Sequence, residues 1–108
     1  QLNTRWGEGT VQVDIKDSYF NMRQVMENHM YLIDRACAAF RSQGVEPMIQ
    51  PVRGGTDGAR LSYAGLPCPN LSTGGYNFHS RFEFIPVESM ETMVDVLWDL
   101  VYRFVEEK

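Results

Sequence analysis

Apolar and polar residues alternate one by one from Gly9 to Asp17, with Val11, Val13 and Ile15 on one side and Gln12, Asp14 and Lys16 on the other. That period of two predicts a strand with one buried face. From Arg23 to Ser42 the period changes: Met26, Met30, Ile33, Ala36, Cys37 and Phe40 recur at spacings of three and four, and Gly44 follows. This predicts an amphipathic helix with a glycine stop. The run Pro47 to Val52 predicts a short strand, with Pro47 at its mouth, where a missing N–H is tolerated. Thr56 or Asp57 caps a short helix that Gly65 and Pro67 end. Pro69 to Thr73 and Phe82 to Ile85 predict further short strands. Pro86 then opens the longest element, a helix whose Met90, Met93, Val94, Leu97, Val101, Phe104 and Val105 form a continuous apolar face and whose acidic residues face solvent. Strands alternating with helices predict the α/β class: a partly parallel mixed sheet of three to four strands with two long helices and one short one.

At 108 residues the chain is one domain at most. A compact domain of this size buries about 65% of its unfolded surface. A net charge of -4 is poor for gripping phosphate backbones, so nucleic acid is not an expected partner. No apolar run approaches the ~18 residues of a membrane span, and no membrane partner is expected. The opening QLNTRWGEG has neither an apolar leader nor an initiator methionine and reads as an internal segment or a processed product. Cys37 lies in a helical pattern and Cys68 between two prolines, which makes no disulfide framework and points to a reducing, cytoplasmic compartment.

Two stretches carry candidate chemistry. In Arg53-Gly54-Gly55-Thr56-Asp57-Gly58 a glycine turn enters a helix. Its free N–H groups suit an anion, while the plain alternative is a tight turn that needs positive φ. It is neither a G-x-G-x-x-G fingerprint nor a P-loop. The second stretch is NLSTGGYNFHSRFEF, Asn70 to Phe84, with His79 in a glycine-rich loop. His79 is either a solvated loop residue or a metal ligand. A zinc site needs three or four protein ligands, and His29 with the two scattered cysteines are the chain's other nitrogen and sulfur donors. The chain alone therefore does not spell out a complete zinc site. His29 reads as an exposed helix residue, Tyr19, Phe20 and Asn21 as packing at the join between strand and helix, and Met90 and Met93 as core.

The segments DSYFNM (Asp17 to Met22), PVRGGTDGARLSYAGLPCPNLSTGGYNFHSRFEF (Pro51 to Phe84) and IPVESME resemble the C-terminal part of the peptidase T family, tripeptide aminopeptidases among the dinuclear-zinc metallopeptidases. The resemblance implies that residues 1–20 end a lid, or dimerisation, domain with its last strand. Residues 21–108 would then be the C-terminal part of the catalytic domain. It also implies that His79 ligates one zinc of a pair. Arg53, Gly54, Gly55, Thr56 and Asn77 would meet the tripeptide substrate, with Arg53 pairing with a carboxylate, while Asn77 and Glu83 flank the ligand. The family's other ligands and its general base belong to an N-terminal half that this sequence does not contain, so no catalytic residue is expected here and the isolated chain should be inactive. Two other readings stand beside this one: a stand-alone peptide- or anion-binding module, and a dimerising module without catalysis. Apolar faces left open by the missing half would favour a homodimer.

Overall fold

The period of three and four does produce helices, and the period of two does not produce a sheet. The computed structural model describes residues 1–52 and 54–106. Its elements are α1 (Leu2–Trp6), α2 (Arg23–Met26), α3 (Met30–Ser42), α4 (Asp57–Tyr63) and α5 (Val87–Glu106). Among the described residues the only β pairing is a single antiparallel bridge between Tyr76 and Phe84. The expected α/β fold with a partly parallel mixed sheet of three to four strands is therefore wrong for this chain. Gly9 to Asp17, read as a lid strand, and Pro47 to Val52 form no strand: Gly9 to Val11 is a turn and bend tied to Asn3, and Ile15 and Met48 are 83% and 76% exposed. Pro69 to Thr73 forms no ladder either, and Phe82 to Ile85 contributes only the bridge at Phe84. The physical reason lies in where the hydrogen bonds go. A helix closes its own bonds four residues away, whereas a strand needs a second strand in register beside it. Alternation specifies a face to bury and supplies no such neighbour.

The long helix expected over Arg23 to Ser42 is broken into α2 and α3. Between them the chain closes with three-residue steps, Asn28 N–H to the Val25 carbonyl at 3.3 Å and His29 N–H to the Met26 carbonyl at 2.8 Å. His29 becomes the N-terminal cap residue of α3, half-buried and edge-on to Tyr31. Gly44, at φ +74°, ends α3 as expected, with Val45 N–H bonded back to the Phe40 carbonyl.

Two small cores result. In the first, α3 packs on α5: Val96 is 0% exposed against Ala39 and Phe40, and Leu71, Met93 and Leu100 close around them. The C-terminal end of α3 is tied down by Ser42 Oγ, 2.7 Å from Asp99 Oδ2, and Arg103 Nε donates to that same oxygen at 2.8 Å. In the second, α2 and α4 bury Met26, Ala59 and Ser62. Tyr63 Oη donates to the Asn21 carbonyl at 2.9 Å, and the Phe20 and Tyr63 rings lie 5.6 Å apart. The aromatic residues before α2 thus take the packing role expected of them. Ser62 Oγ accepts the Cys68 N–H at 3.0 Å, which holds the 66–70 segment on α4.

These cores do not gather the whole chain. The radius of gyration is 19.6 Å and the molecule measures 65 × 36 × 17 Å, against about 13 Å for a compact domain of 100 residues. No described helix is long and apolar enough to cross a membrane.

Two substitutions test this packing. Asp99 is held below the usual carboxylate range by the Ser42 hydroxyl and then by the Arg103 guanidinium. A carboxyl with a lowered folded-state pKa adds stability that is fully present above its unfolded pKa of about 3.9 and is lost as pH falls through the folded value. The stability advantage of the wild type over Asp99→Asn should accordingly be constant near neutrality and shrink as thermal unfolding is followed down through the carboxylate range. Gly58→Ala should destabilise although alanine is the better helix former by about 1 kcal/mol. A Cβ at Gly58 would stand 2.5 Å from the Cys68 carbonyl, a backbone atom whose residue is pinned by Ser62. We expect a net loss of about 1–3 kcal/mol in urea unfolding; a variant as stable as the wild type would refute the contact.

Candidate functional site

The loop that carries His79 is shaped by its own backbone. Tyr76 and Phe84 exchange N–H···O bonds of 2.8 and 3.2 Å, and their rings stack at 5.2 Å, so the chain enters and leaves the loop at one point. Inside it, the Asn77 carbonyl accepts the Ser80 N–H at 3.1 Å and the Ser80 carbonyl accepts the Glu83 N–H at 3.0 Å. Asn77 and His79 both sit in the left-handed region, at φ 55° and 62°. Asn and His are among the non-glycine residues that occupy it most readily. Residues held there cluster at functional sites.

Glu83 and Asn77 brace this backbone. Glu83 Oε2 accepts the His79 N–H at 2.7 Å, and Asn77 Nδ2 donates to the Phe82 carbonyl at 3.3 Å. Neither side chain reaches the imidazole, so the flanking residues orient His79 through the main chain. The ring itself is exposed and makes no hydrogen bond among the described residues. Gly74 lets the loop sit close to the start of α5, and Gly75 lets it fold tightly on itself. A Cβ at Gly74 would meet Ser89 and Met93 at 3.1 and 3.3 Å, and one at Gly75 would meet the Phe78 ring at 2.9 Å. A shallow hollow beside the loop is lined by Thr73, Gly75, Phe78, Glu83, Phe84 and Ile85.

The glycine turn lies on the other core. Arg53, expected to meet a carboxylate, is outside the described residues. Gly54 takes φ +75° with open space around it. Gly55 lies directly under Tyr19, whose ring atoms would be 2.1 Å from a Cβ there. Thr56 caps α4: its Oγ1 accepts the Ala59 N–H at 3.2 Å and an Asn70 Nδ2–H at 3.1 Å. In this arrangement Gly55 and Thr56 have partners within the chain, whereas Gly54 faces open space. No hydrogen bond among the described residues links this turn to the Asn77–His79 loop. Among the described residues no three His, Cys, Asp or Glu side chains converge as a metal site would require.

The roles of Tyr19 and Asn70 had no local signal, because each acts on a residue 36 or 14 positions away in sequence. The Glu83 contact was accessible in principle: a carboxylate four residues after a loop histidine is within reach of its N–H.

No family model matches the chain. Comparison with curated proteins is more informative. The chain is 56% identical over 100 residues to peptidase T of Caldanaerobacter subterraneus subsp. tengcongensis, a match covering 93% of the chain and 24% of that protein. It is 49% identical over 107 residues to peptidase T of Clostridium perfringens, with 99% and 26% covered, and 52% identical over 103 residues to that of Vibrio atlanticus, with 95% and 25% covered. The chain spans about a quarter of the length of these relatives. With about half of its residues identical across almost its full extent, the chain belongs to the peptidase T family, as a C-terminal fragment about a quarter as long as those relatives.

Proposed function

We propose that this chain is the C-terminal portion of a metallo-aminopeptidase that removes the N-terminal residue from tripeptides, and that His79 is its contribution to a dinuclear zinc centre. The observation that carries the metal role is the state of His79: an exposed imidazole with no hydrogen bond among the described residues, on a loop whose backbone is locked by Glu83 and the Tyr76–Phe84 bridge. A ligand needs a free ring nitrogen on a fixed support. The described residues supply one such ligand and no converging set, so the remaining ligands and the general base would come from the portion of the enzyme outside this chain. Zinc, when bound, supplies Lewis-acid polarisation and a water acidic enough to serve at neutral pH.

In this reading residues 1–20 close the lid domain and residues 21–108 belong to the catalytic domain. Arg53, Gly54, Gly55, Thr56 and Asn77 would face the tripeptide. For Gly55 and Thr56 to do so, Tyr19 must swing off Gly55, and Thr56 must share the oxygen that caps α4. The parent would work in the cytoplasm. A free-standing binding or dimerising module is not favoured, since the same residues match an enzyme family along 93–99% of the chain.

The test uses a full-length chimera in which this chain replaces the corresponding portion of the Caldanaerobacter relative. His79→Ala should lower its zinc content and reduce tripeptide hydrolysis by about two orders of magnitude or more. The isolated chain should hydrolyse nothing. Unchanged zinc content and turnover in His79→Ala would remove His79 from the metal centre.

A further inference from the structure

Helix α5 carries more apolar surface than this chain covers. At 3.6 residues per turn its apolar side chains occupy about half of the circumference. Met93, Val96 and Leu100 lie at one edge of that arc and meet α3. Met90, Val94, Leu97, Val101 and Val105, with Trp98 at the far edge, fill the rest and are exposed, Val94 at 65% and Val101 at 62%. The polar side of the helix is elsewhere, on Glu88, Asp95, Asp99 and Glu106. The open apolar sector is therefore not the solvent face. A helix apolar on two adjoining faces belongs between two layers, and this chain provides one of them.

Two observations identify the other layer. The chain spans about a quarter of the length of its relatives, so most of such an enzyme lies outside it. Its extended shape, with a radius of gyration of 19.6 Å, is that of a part without its complement. A second copy of α5 is the weaker fit. A two-stranded coiled coil uses a narrow seam bordered by charged residues, whereas this sector is broad, reaching Trp98 on one side and running on into Met93 and Leu100 on the other. We propose that the Met90–Val94–Leu97–Val101–Val105 face of α5 docks on an apolar surface of the portion of the enzyme outside this chain. This rests on the peptidase T reading above and names the surface that joins the two portions.

Cysteine accessibility tests it in the same chimera and in the isolated chain. Val94→Cys, Leu97→Cys and Val101→Cys are compared with Asp95→Cys on the polar side. Maleimide labelling is read by peptide mass, so that Cys37 and Cys68 are scored separately. We expect the Asp95→Cys thiol to react alike in both contexts, and the other three to react roughly tenfold or more slowly in the chimera, where labelling must wait for local opening. Equal reactivity in both contexts overturns the proposal. So does protection already present in an isolated chain that sediments as a dimer, which would make a second copy the occupant. If the chimera is insoluble, the chain is co-expressed with the remaining portion of the relative as a separate polypeptide. Co-purification abolished by Val94→Glu with Val101→Glu supports the proposal, and co-purification that ignores those changes, or fails with the wild type, overturns it. Tripeptide hydrolysis is read separately: a protected but inactive chimera keeps the docking surface and removes the peptidase reading.

Discussion

The contact of Val96 with Ala39 and Phe40 is the constraint on which the rest of this chain depends. Among the described residues Val96 is the large side chain fully sealed from water, and its contact joins two helices far apart in sequence. The small Ala39 side chain and the Phe40 ring both pack against Val96, and Leu71, Met93 and Leu100 close around them. The Ser42–Asp99 hydrogen bond crosses between the two helices and fixes their axial register, and Arg103, one turn along α5, holds the Asp99 carboxylate in place for it. Because Met93 lies in this contact and also beneath Gly74, the same helix that makes the core positions the entry to the His79 loop.

The glycine turn is held by a different cluster, built from α2, α4 and the 66–70 segment. Ser62, Thr56 and Asn70 tie that unit together through side-chain hydrogen bonds, and every buried side-chain polar atom among the described residues has a partner. Two candidate regions on two separate supports suit a protein whose active site is assembled from several parts. Alignment of the loop with the turn is then a task for whatever surrounds both, since no hydrogen bond among the described residues sets their relation.

Helices were legible in the sequence wherever they close their own hydrogen bonds and meet a partner within the chain. The Thr56 cap, the Gly44 stop and the start of α5 after Pro86 were all readable from residue type and spacing. The break at Asn28 and His29 was not, because the apolar period continues across it unchanged while the backbone does not. The strands were misread for a related reason. Val11, Val13 and Ile15 state that a face is to be buried, but the backbone partner that would make the segment a strand is not specified by the segment itself. The loop histidine could be singled out from its setting, yet its bracing by Glu83 and the placement of Tyr19 over Gly55 depend on tertiary contacts that pattern alone does not encode.

The tie between Ser42 and Asp99 spans 57 residues, and this separation bears on how the chain reaches its structure. Helix α3 is complete long before α5 exists, and at about 5–20 residues per second of synthesis the interval amounts to roughly 3–11 s. During that time Ala39 and Phe40 lack the cover that α5 gives them, and closing so long a loop carries an entropic cost that α3 alone cannot offset. The α3–α5 core is thus a late event in synthesis of this chain, and until α5 emerges the apolar face of α3 must find cover on some other surface.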